Sequence, residues 1–235
     1  MTSEDRLGRI EWPTVEAALD ARGWAVIDGL LDAPTCAALA GVYGQDALFR
    51  KRVTMENFGY GRGTYAYFQY PLPAVVEALR SRLYPPLAAI ANRWSASLGR
   101  DERYPAELEL FLQRCRDADQ CRPTPLLLAY EEGGFNSLHQ DLYGPLAFPL
   151  QIAVLLSAPG TEFTGGEFVM TEQRPRQQAR VHTVPLVQGD AVVFAGQQRP
   201  GQGPRGVHRL NLRHGVCEIR SGRRFTLGII FHDAR

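Results

Sequence analysis

Thr124-Pro125-Leu126-Leu127-Leu128-Ala129-Tyr130 opens the part of the chain that decides the fold. Before it the sequence reads as mostly helical; from Thr124 onward apolar residues alternate or run in short blocks. The expected strands cover 124–130, 137–141, 150–157, 167–171, 180–184, 191–195, 207–214 and 224–232. Gly133-Gly134, Gly144-Pro145, Pro159-Gly160, Gly165-Gly166, Gly189 and Gly222 punctuate them. Eight short strands at this spacing, with no helix between them, imply a sandwich or barrel. A double-sheet jelly roll, the double-stranded β-helix, fits that count.

Upstream, helices are expected at 13–22, with Pro13 in the first turn, and at 33–43, with Asp32 as N-cap. A short strand over 24–28 lies between them. Val75, Leu79, Leu83, Leu87, Ile90 and Trp94 mark one long amphipathic helix over 73–98. Pro85-Pro86 should bend or split it. A last helix is expected over 105–116. The segment 57–71 differs: Gly59, Gly61 and Gly63 sit among Phe58, Tyr60, Tyr65, Tyr67, Phe68 and Tyr70. It is not a dinucleotide fingerprint, because an aromatic strand-like run follows the glycines instead of a helix. It reads as a mobile loop ahead of a strand, serving as a lid or substrate contact or simply packing an edge. The fold class is therefore mainly β with N-terminal helices (α+β) around a cupin-like jelly-roll core. One domain is expected over 1–235, with a largely helical subregion at 1–122 and the core at 123–235.

Composition narrows the function. The chain has 235 residues, 45% hydrophobic and 22% charged, as for an ordinary globular protein. Lys plus Arg is 26 against 25 Asp plus Glu, so the net charge of +1 gives no overall pull toward nucleic acid or membrane. Lys51 is the sole lysine, and it has no glycine loop before it, which excludes a P-loop. A Schiff-base enzyme would have to use that same residue. Cys36, Cys115, Cys121 and Cys217 include no Cys-x-x-Cys pair. Cys115 and Cys121 lack the second pair that a zinc site needs, so reduced thiols are the simpler reading. The polar start carries no apolar signal core. Stretches such as Ile152-Ala153-Val154-Leu155-Leu156 are too short to cross a bilayer. The expected location is the cytoplasm.

The strongest chemical feature is His139-Gln140-Asp141. Residues two apart in a strand point to the same face, so His139 and Asp141 project side by side. With one more histidine from a distant strand they would make the two-histidine, one-carboxylate face that holds non-heme Fe(II) and leaves positions open. A His-x-Asp triplet alone is common by chance. Its context is Tyr130-Glu131-Glu132-Gly133 upstream and His214, Arg224 and Thr226 downstream.

On these residues the sequence resembles the Fe(II)/2-oxoglutarate-dependent dioxygenases, and in particular their prolyl-hydroxylase-like branch. That branch has Tyr-x-x-Gly, His-x-Asp, and a distal histidine followed about ten residues later by a basic residue. Over nearly the whole chain, from Gly23-Trp24-Ala25-Val26-Ile27 to Phe231-His232-Asp233, the sequence also resembles a bacterial oxygenase family labelled with oxidative removal of methyl groups from damaged DNA. The resemblance implies that His139, Asp141 and His214 bind Fe(II). It implies that Arg224 and Thr226, with Tyr130, hold 2-oxoglutarate, and that O2 is the oxidant. His208 competes with His214 as distal ligand; the step from His214 to Arg224 is ten residues, from His208 sixteen. Relatives that halogenate lack the carboxylate, so Asp141 favours oxygen insertion. His182 reads as a sheet-edge residue and His232 as a strand-end residue.

The implied reaction releases succinate and CO2 and hydroxylates the substrate, or demethylates it where the carbon is N-methyl. Ten arginines crowd positions 173 to 224 against Asp190 and Glu218. Such a basic face suits phosphates, a small acidic substrate or plain solvation. The aromatic segment from Phe58 to Tyr70 suits a flipped base or a pocket for an amino acid. Arg62, Tyr65 and Tyr143 are the candidate substrate contacts. Two substrate classes stay open: a small molecule or protein side chain, and alkylated nucleic acid. A membrane partner is not expected, and the oligomeric state stays open. The competing reading is a non-catalytic cupin-like barrel that holds a metal or ligand.

Overall fold

The computed structural model describes residues 3–141, 144–174, 177–203 and 206–235. The helices are α1 (Ser3–Leu7), α2 (Trp12–Arg22), α3 (Ala33–Gly41), α4 (Ala74–Ser97) and α5 (Leu108–Asp117). The first strands are β1 (Trp24–Ile27), β2 (Phe49–Thr54), β3 (Gly61–Arg62) and β4 (Thr64–Phe68). They are followed by β5 (Leu126–Tyr130), β6 (Phe135–His139), β7 (Leu150–Leu155), β8 (Phe163–Gly165), β9 (Phe168–Gln173) and β10 (Arg180–Val184). The chain closes with β11 (Ala191–Ala195), β12 (Gln198–Gly203), β13 (Gly206–Val216), β14 (Ile219–Gly222) and β15 (Arg224–Ile229).

A seven-stranded sheet runs β1-β11-β7-β15-β5-β4-β2, and a six-stranded sheet runs β10-β9-β13-β6-β3, with β12 also on β13. Strands β5 to β15 build the jelly roll across these two sheets, with β8 and β14 paired in a separate two-stranded sheet. Each expected strand beyond Thr124 is present with ends moved by a few residues. The N-terminal strands extend the sheets: β1 pairs β11, and β4 pairs β5. The Phe49–Thr54 strand shows no clear alternation, because Arg50-Lys51-Arg52 masks it. Charged side chains are a common guard on an edge strand, and β2 is an edge. The Gln198–Gly203 strand is polar and glycine-rich; it is held by its hairpin with β13 rather than by apolar periodicity.

Asp32 caps α3 as expected, its carboxylate accepting from the Thr35 N–H at 3.0 Å. Helix α4 is not split: it runs unbroken through Pro85 and Pro86. The two prolines remove N–H donors, but Leu79, Leu83, Leu87, Ile90 and Trp94 are all buried on its packed face. That burial, at roughly 2 kcal/mol per large side chain, outweighs two lost helical hydrogen bonds. The same cluster takes in Leu127, Val154 and Leu227 from the large sheet, so the helices cover its outer face.

One buried cation ties helix to sheet. Arg80, fully buried on α4, donates to the Ile230 and Phe231 carbonyls at 3.0 Å and to Asp233 Oδ1 at 2.8 Å. It thereby anchors the chain just past β15, the strand that carries Arg224 and Thr226. Arg80→Met leaves a buried carboxylate without its charge partner and is expected to cost roughly 3 kcal/mol. Urea unfolding measures that loss; an unchanged midpoint would remove this strut from the account.

Candidate active site

Strands β6 and β13 pair antiparallel with His139 and His214 as direct partners. Their rings stand 4.2 Å apart, centre to centre. Asp141, two residues past His139, lies with Oδ1 3.6 Å from His139 Nε2 and Oδ2 3.4 Å from His214 Nε2. The three donor atoms lie within 4.8 Å of one another. Donors at about 2.1 Å from one ion, on adjacent octahedral positions, stand about 3 Å apart, so a small contraction seats a divalent metal.

The protonation pattern agrees. His139 Nδ1 is 2.7 Å from the Ser137 carbonyl, which assigns the proton to Nδ1 and leaves the Nε2 lone pair facing Asp141. Burial, then the neighbouring His214, holds the His139 pKa below its ordinary value, so the ligating neutral form prevails. Burial alone would raise Asp141, but hydrogen bonding to His214, the two histidines' field and a hydrogen bond from Gln151 hold it well below the usual carboxylate range. Two neutral imidazoles and one carboxylate suit a dication. His214 Nδ1 is buried without a hydrogen-bond partner among the described residues, and its ring packs against Phe168 and Phe194.

The opposite wall comes from the large sheet. Arg224 of β15 is the register partner of Tyr130 of β5. Only 2% of Arg224 is exposed. Its Nη1 donates to Thr226 Oγ1 at 2.6 Å, while its Nε is buried with no acceptor. Burial draws its pKa down to about 10, which still leaves a cation at neutral pH. No carboxylate pairs with it among the described residues. Gly166 makes room for it: a Cβ there would stand 3.0 Å from Arg224 Cδ. Tyr130 completes this end, its hydroxyl 3.4 Å from Asn136 Nδ2. A desolvated guanidinium beside a hydroxyl fits a carboxylate ligand.

Between the walls lies a cavity of about 270 Å³. His139, Asp141, His214, Arg224, Thr226 and Tyr130 all line it, as does Tyr65. Arg62 is exposed on β3 beside Gly133 and is not part of the wall. Tyr143 lies outside the described residues. His208 shares the strand of His214 but sits six residues earlier, about 20 Å along it, opposite Gly201. Gln151, Asn136 and Met55 also line the cavity and were missed. A readable signal existed for Gln151, the one polar residue within the apolar run Leu150–Leu155. Met55 and Asn136 carry no such signal.

The remaining histidines are structural. His182 packs edge-on to Trp24 on the outer strand β10. His232 is buried, and its Nδ1 accepts from the Phe148 N–H at 3.1 Å. Burial pulls its pKa down to about 4. The folded state thus favours the neutral form, a contribution fully present above about pH 6.5 and lost as pH falls toward 4. Roughly 2 kcal/mol should go by pH 5. His232→Asn keeps an acceptor and should flatten the unfolding free energy between pH 6.5 and 5; equal slopes in both proteins would refute this. All four cysteines are free, Cys36 and Cys115 being buried. No described helix is long and apolar enough to cross a membrane.

A sequence model of the family Oxygenase-NA, described as an oxygenase catalysing oxidative methylation of damaged DNA, matches residues 63–234. Uncharacterised proteins from two strains of Mycobacterium tuberculosis are 41% identical over 226 residues, covering 96% of this chain and 92% of theirs. Among solved structures, a Pseudomonas putida prolyl-4-hydroxylase superposes with a TM-score of 0.56 at 16% identity, covering 95% of this chain and 99% of its own. An oxidoreductase of the 2OG-Fe(II) oxygenase family from Burkholderia pseudomallei gives 0.56 at 15% identity, over 96% and 94%. The last two likenesses establish a shared fold.

Proposed function

The chain belongs to the Oxygenase-NA family and has the fold of the Fe(II)/2-oxoglutarate-dependent oxygenases, and from that premise we propose that it inserts oxygen into a C–H bond of an uncharged organic group. His139, Asp141 and His214 would hold Fe(II), and Arg224, Thr226 and Tyr130 would hold 2-oxoglutarate. The observation that carries this is the buried Arg224, without a carboxylate partner among the described residues, across one cavity from the His-Asp-His face.

Each side chain has a task. Ser137 fixes the His139 tautomer so that Nε2 can ligate. Asp141 supplies the negative charge that a dication needs. The Arg224 guanidinium grips the far carboxylate of 2-oxoglutarate, with Thr226 and Tyr130 adding hydroxyls. When bound, Fe(II) with 2-oxoglutarate and O2 supplies the oxidising power, releasing succinate and CO2 and leaving one oxygen atom on the substrate carbon. Phe168 and Phe194 keep the cavity dry around His214.

Among the described residues, no Asp, Glu, Lys or Arg other than Asp141 and Arg224 lines the cavity; Met55, Tyr65, Leu126, Leu128 and Ile230 make an apolar and aromatic wall. That favours a neutral group on a small molecule or side chain. A second reading, an alkylated nucleobase, draws on the family description and on the Phe58–Tyr60 pair. These rings stack at 5.6 Å, are 56% and 50% exposed, and the second lines the cavity. Exposed stacked aromatics suit an unpaired base. The test is succinate formation from 2-oxoglutarate, dependent on Fe(II). Its absence would favour the non-catalytic barrel. Salt-sensitive binding to single-stranded DNA would favour the second substrate reading over the first.

A further inference from the structure

We propose that Tyr60, backed by Phe58, is a stacking platform at the cavity mouth that selects substrates carrying an uncharged planar ring. This deepens the oxygenase reading above and rests on it. The cavity, at about 270 Å³, falls just below the roughly 300–1,000 Å³ that drug-sized ligands fill, and 2-oxoglutarate takes part of it. A substrate therefore sends in one small group for oxidation and leaves its bulk outside. What stands at the mouth then decides which substrates are held. Tyr60 lines the cavity and is half exposed. Phe58 lies behind it, the two rings 5.6 Å apart and only 18° from parallel. Lone exposed apolar side chains are ordinary, but two stacked rings on a cavity rim make a patch with a ligand's chemistry.

Backbone contacts hold the pair in place. The Tyr60 N–H donates to the Met55 carbonyl at 3.1 Å, and the Tyr60 carbonyl accepts from the Ser137 N–H at 2.8 Å. Gly61, at φ +137°, lies so close to β6 that a Cβ there would meet the Phe135 carbonyl oxygen at 2.3 Å. Ser137 is also the residue whose carbonyl faces His139 Nδ1. One strand thus positions both the aromatic rim and the first histidine, so the backbone of β6 fixes the spacing between a stacked ring and the metal face. The chemistry follows from the rings. An aromatic face takes another planar ring in an offset stack, and it tolerates many ring types. The two charges that line the cavity, Asp141 and Arg224, are committed to the metal and to 2-oxoglutarate, so nothing there calls for a charged ring. A free small molecule and an unpaired nucleobase share this chemistry.

Titration of the full chain against 2-aminopurine riboside, whose fluorescence is quenched by stacking, tests this. Tyr60→Ala should weaken binding about 5- to 100-fold. Tyr60→Phe should stay within twofold of the parent, because the ring and not the hydroxyl makes the contact. Phe58→Ala should cost less, about 2- to 10-fold, since Phe58 only backs the platform. A single-stranded oligonucleotide carrying the same base separates the two sources. Tighter binding that weakens with salt and keeps the Tyr60→Ala loss assigns the ring to a nucleic-acid strand; binding no tighter than the riboside's assigns it to a free molecule, and either result supports the platform. Absence of quenching, a Tyr60→Ala affinity within twofold of the parent for both probes, or an equal loss in Tyr60→Phe would overturn it. Co(II) titration keeps this apart from the oxygenase reading. Co(II) bound without stacking sinks the platform alone; stacking without Co(II) sinks the oxygenase reading and leaves a ring-binding rim with no part in oxidation.

Discussion

Asp141→Ala is expected to abolish 2-oxoglutarate turnover, by at least about a thousandfold, while leaving the protein folded. Loss of an outer hydrogen-bonding partner typically costs 10- to 100-fold in metal affinity, so loss of a ligand should cost more. Here the ligand is also the metal face's sole negative charge, and two neutral imidazoles hold a hard dication poorly. The fold should survive because Asp141 lies beyond the end of β6 and belongs to no strand ladder. Metal titration and circular dichroism separate the two effects. A variant that keeps iron-dependent turnover would mean that the metal sits elsewhere.

Arg224→Leu should raise the 2-oxoglutarate requirement by roughly 100- to 10,000-fold while leaving Fe(II) binding near the parent value. Two charge-assisted hydrogen bonds, each about 1.5–3 kcal/mol, account for that range. Stability gives the sharper contrast. Most buried arginines, like Arg80, are paired with a carboxylate, and removing them harms the fold. Arg224 has no carboxylate partner among the described residues, and its bonded neighbour, Thr226, loses one hydrogen bond. Replacing a desolvated, unneutralised cation with a leucine should leave the melting temperature of the ligand-free protein unchanged or raised. A lowered melting temperature with unaltered 2-oxoglutarate affinity would make Arg224 a structural residue instead.

Both predictions concern residues that the sequence pattern singles out. His139 and Asp141 share a face because they are two apart in a strand. Arg224 and Thr226 share a face of β15 for the same reason. Strand alternation also puts His208 and His214 on one face, so periodicity could not choose between them. The choice depends on register, which places His214 directly opposite His139 and leaves His208 far along β13. The Phe49–Thr54 strand and the Gln198–Gly203 strand hid for different reasons: basic residues guard the first, and a hairpin partner supports the second. Gln151 stands out in the sequence only as the one polar residue of an apolar strand. A single polar residue among apolar neighbours is ambiguous until the fold places it on the cavity wall. Arg62, expected beside the aromatic loop as a substrate contact, stands exposed on its short edge strand, outside the cavity wall.

The most direct measurement is a crystal structure of the protein with Fe(II) and 2-oxoglutarate, grown without oxygen, with anomalous data at the iron edge. One iron peak is expected about 2.1 Å from His139 Nε2, His214 Nε2 and an Asp141 oxygen, with the far carboxylate of 2-oxoglutarate on the Arg224 guanidinium and the Thr226 hydroxyl. An iron peak away from His214, or an Arg224 side chain that leaves the bound acid untouched, would contradict it.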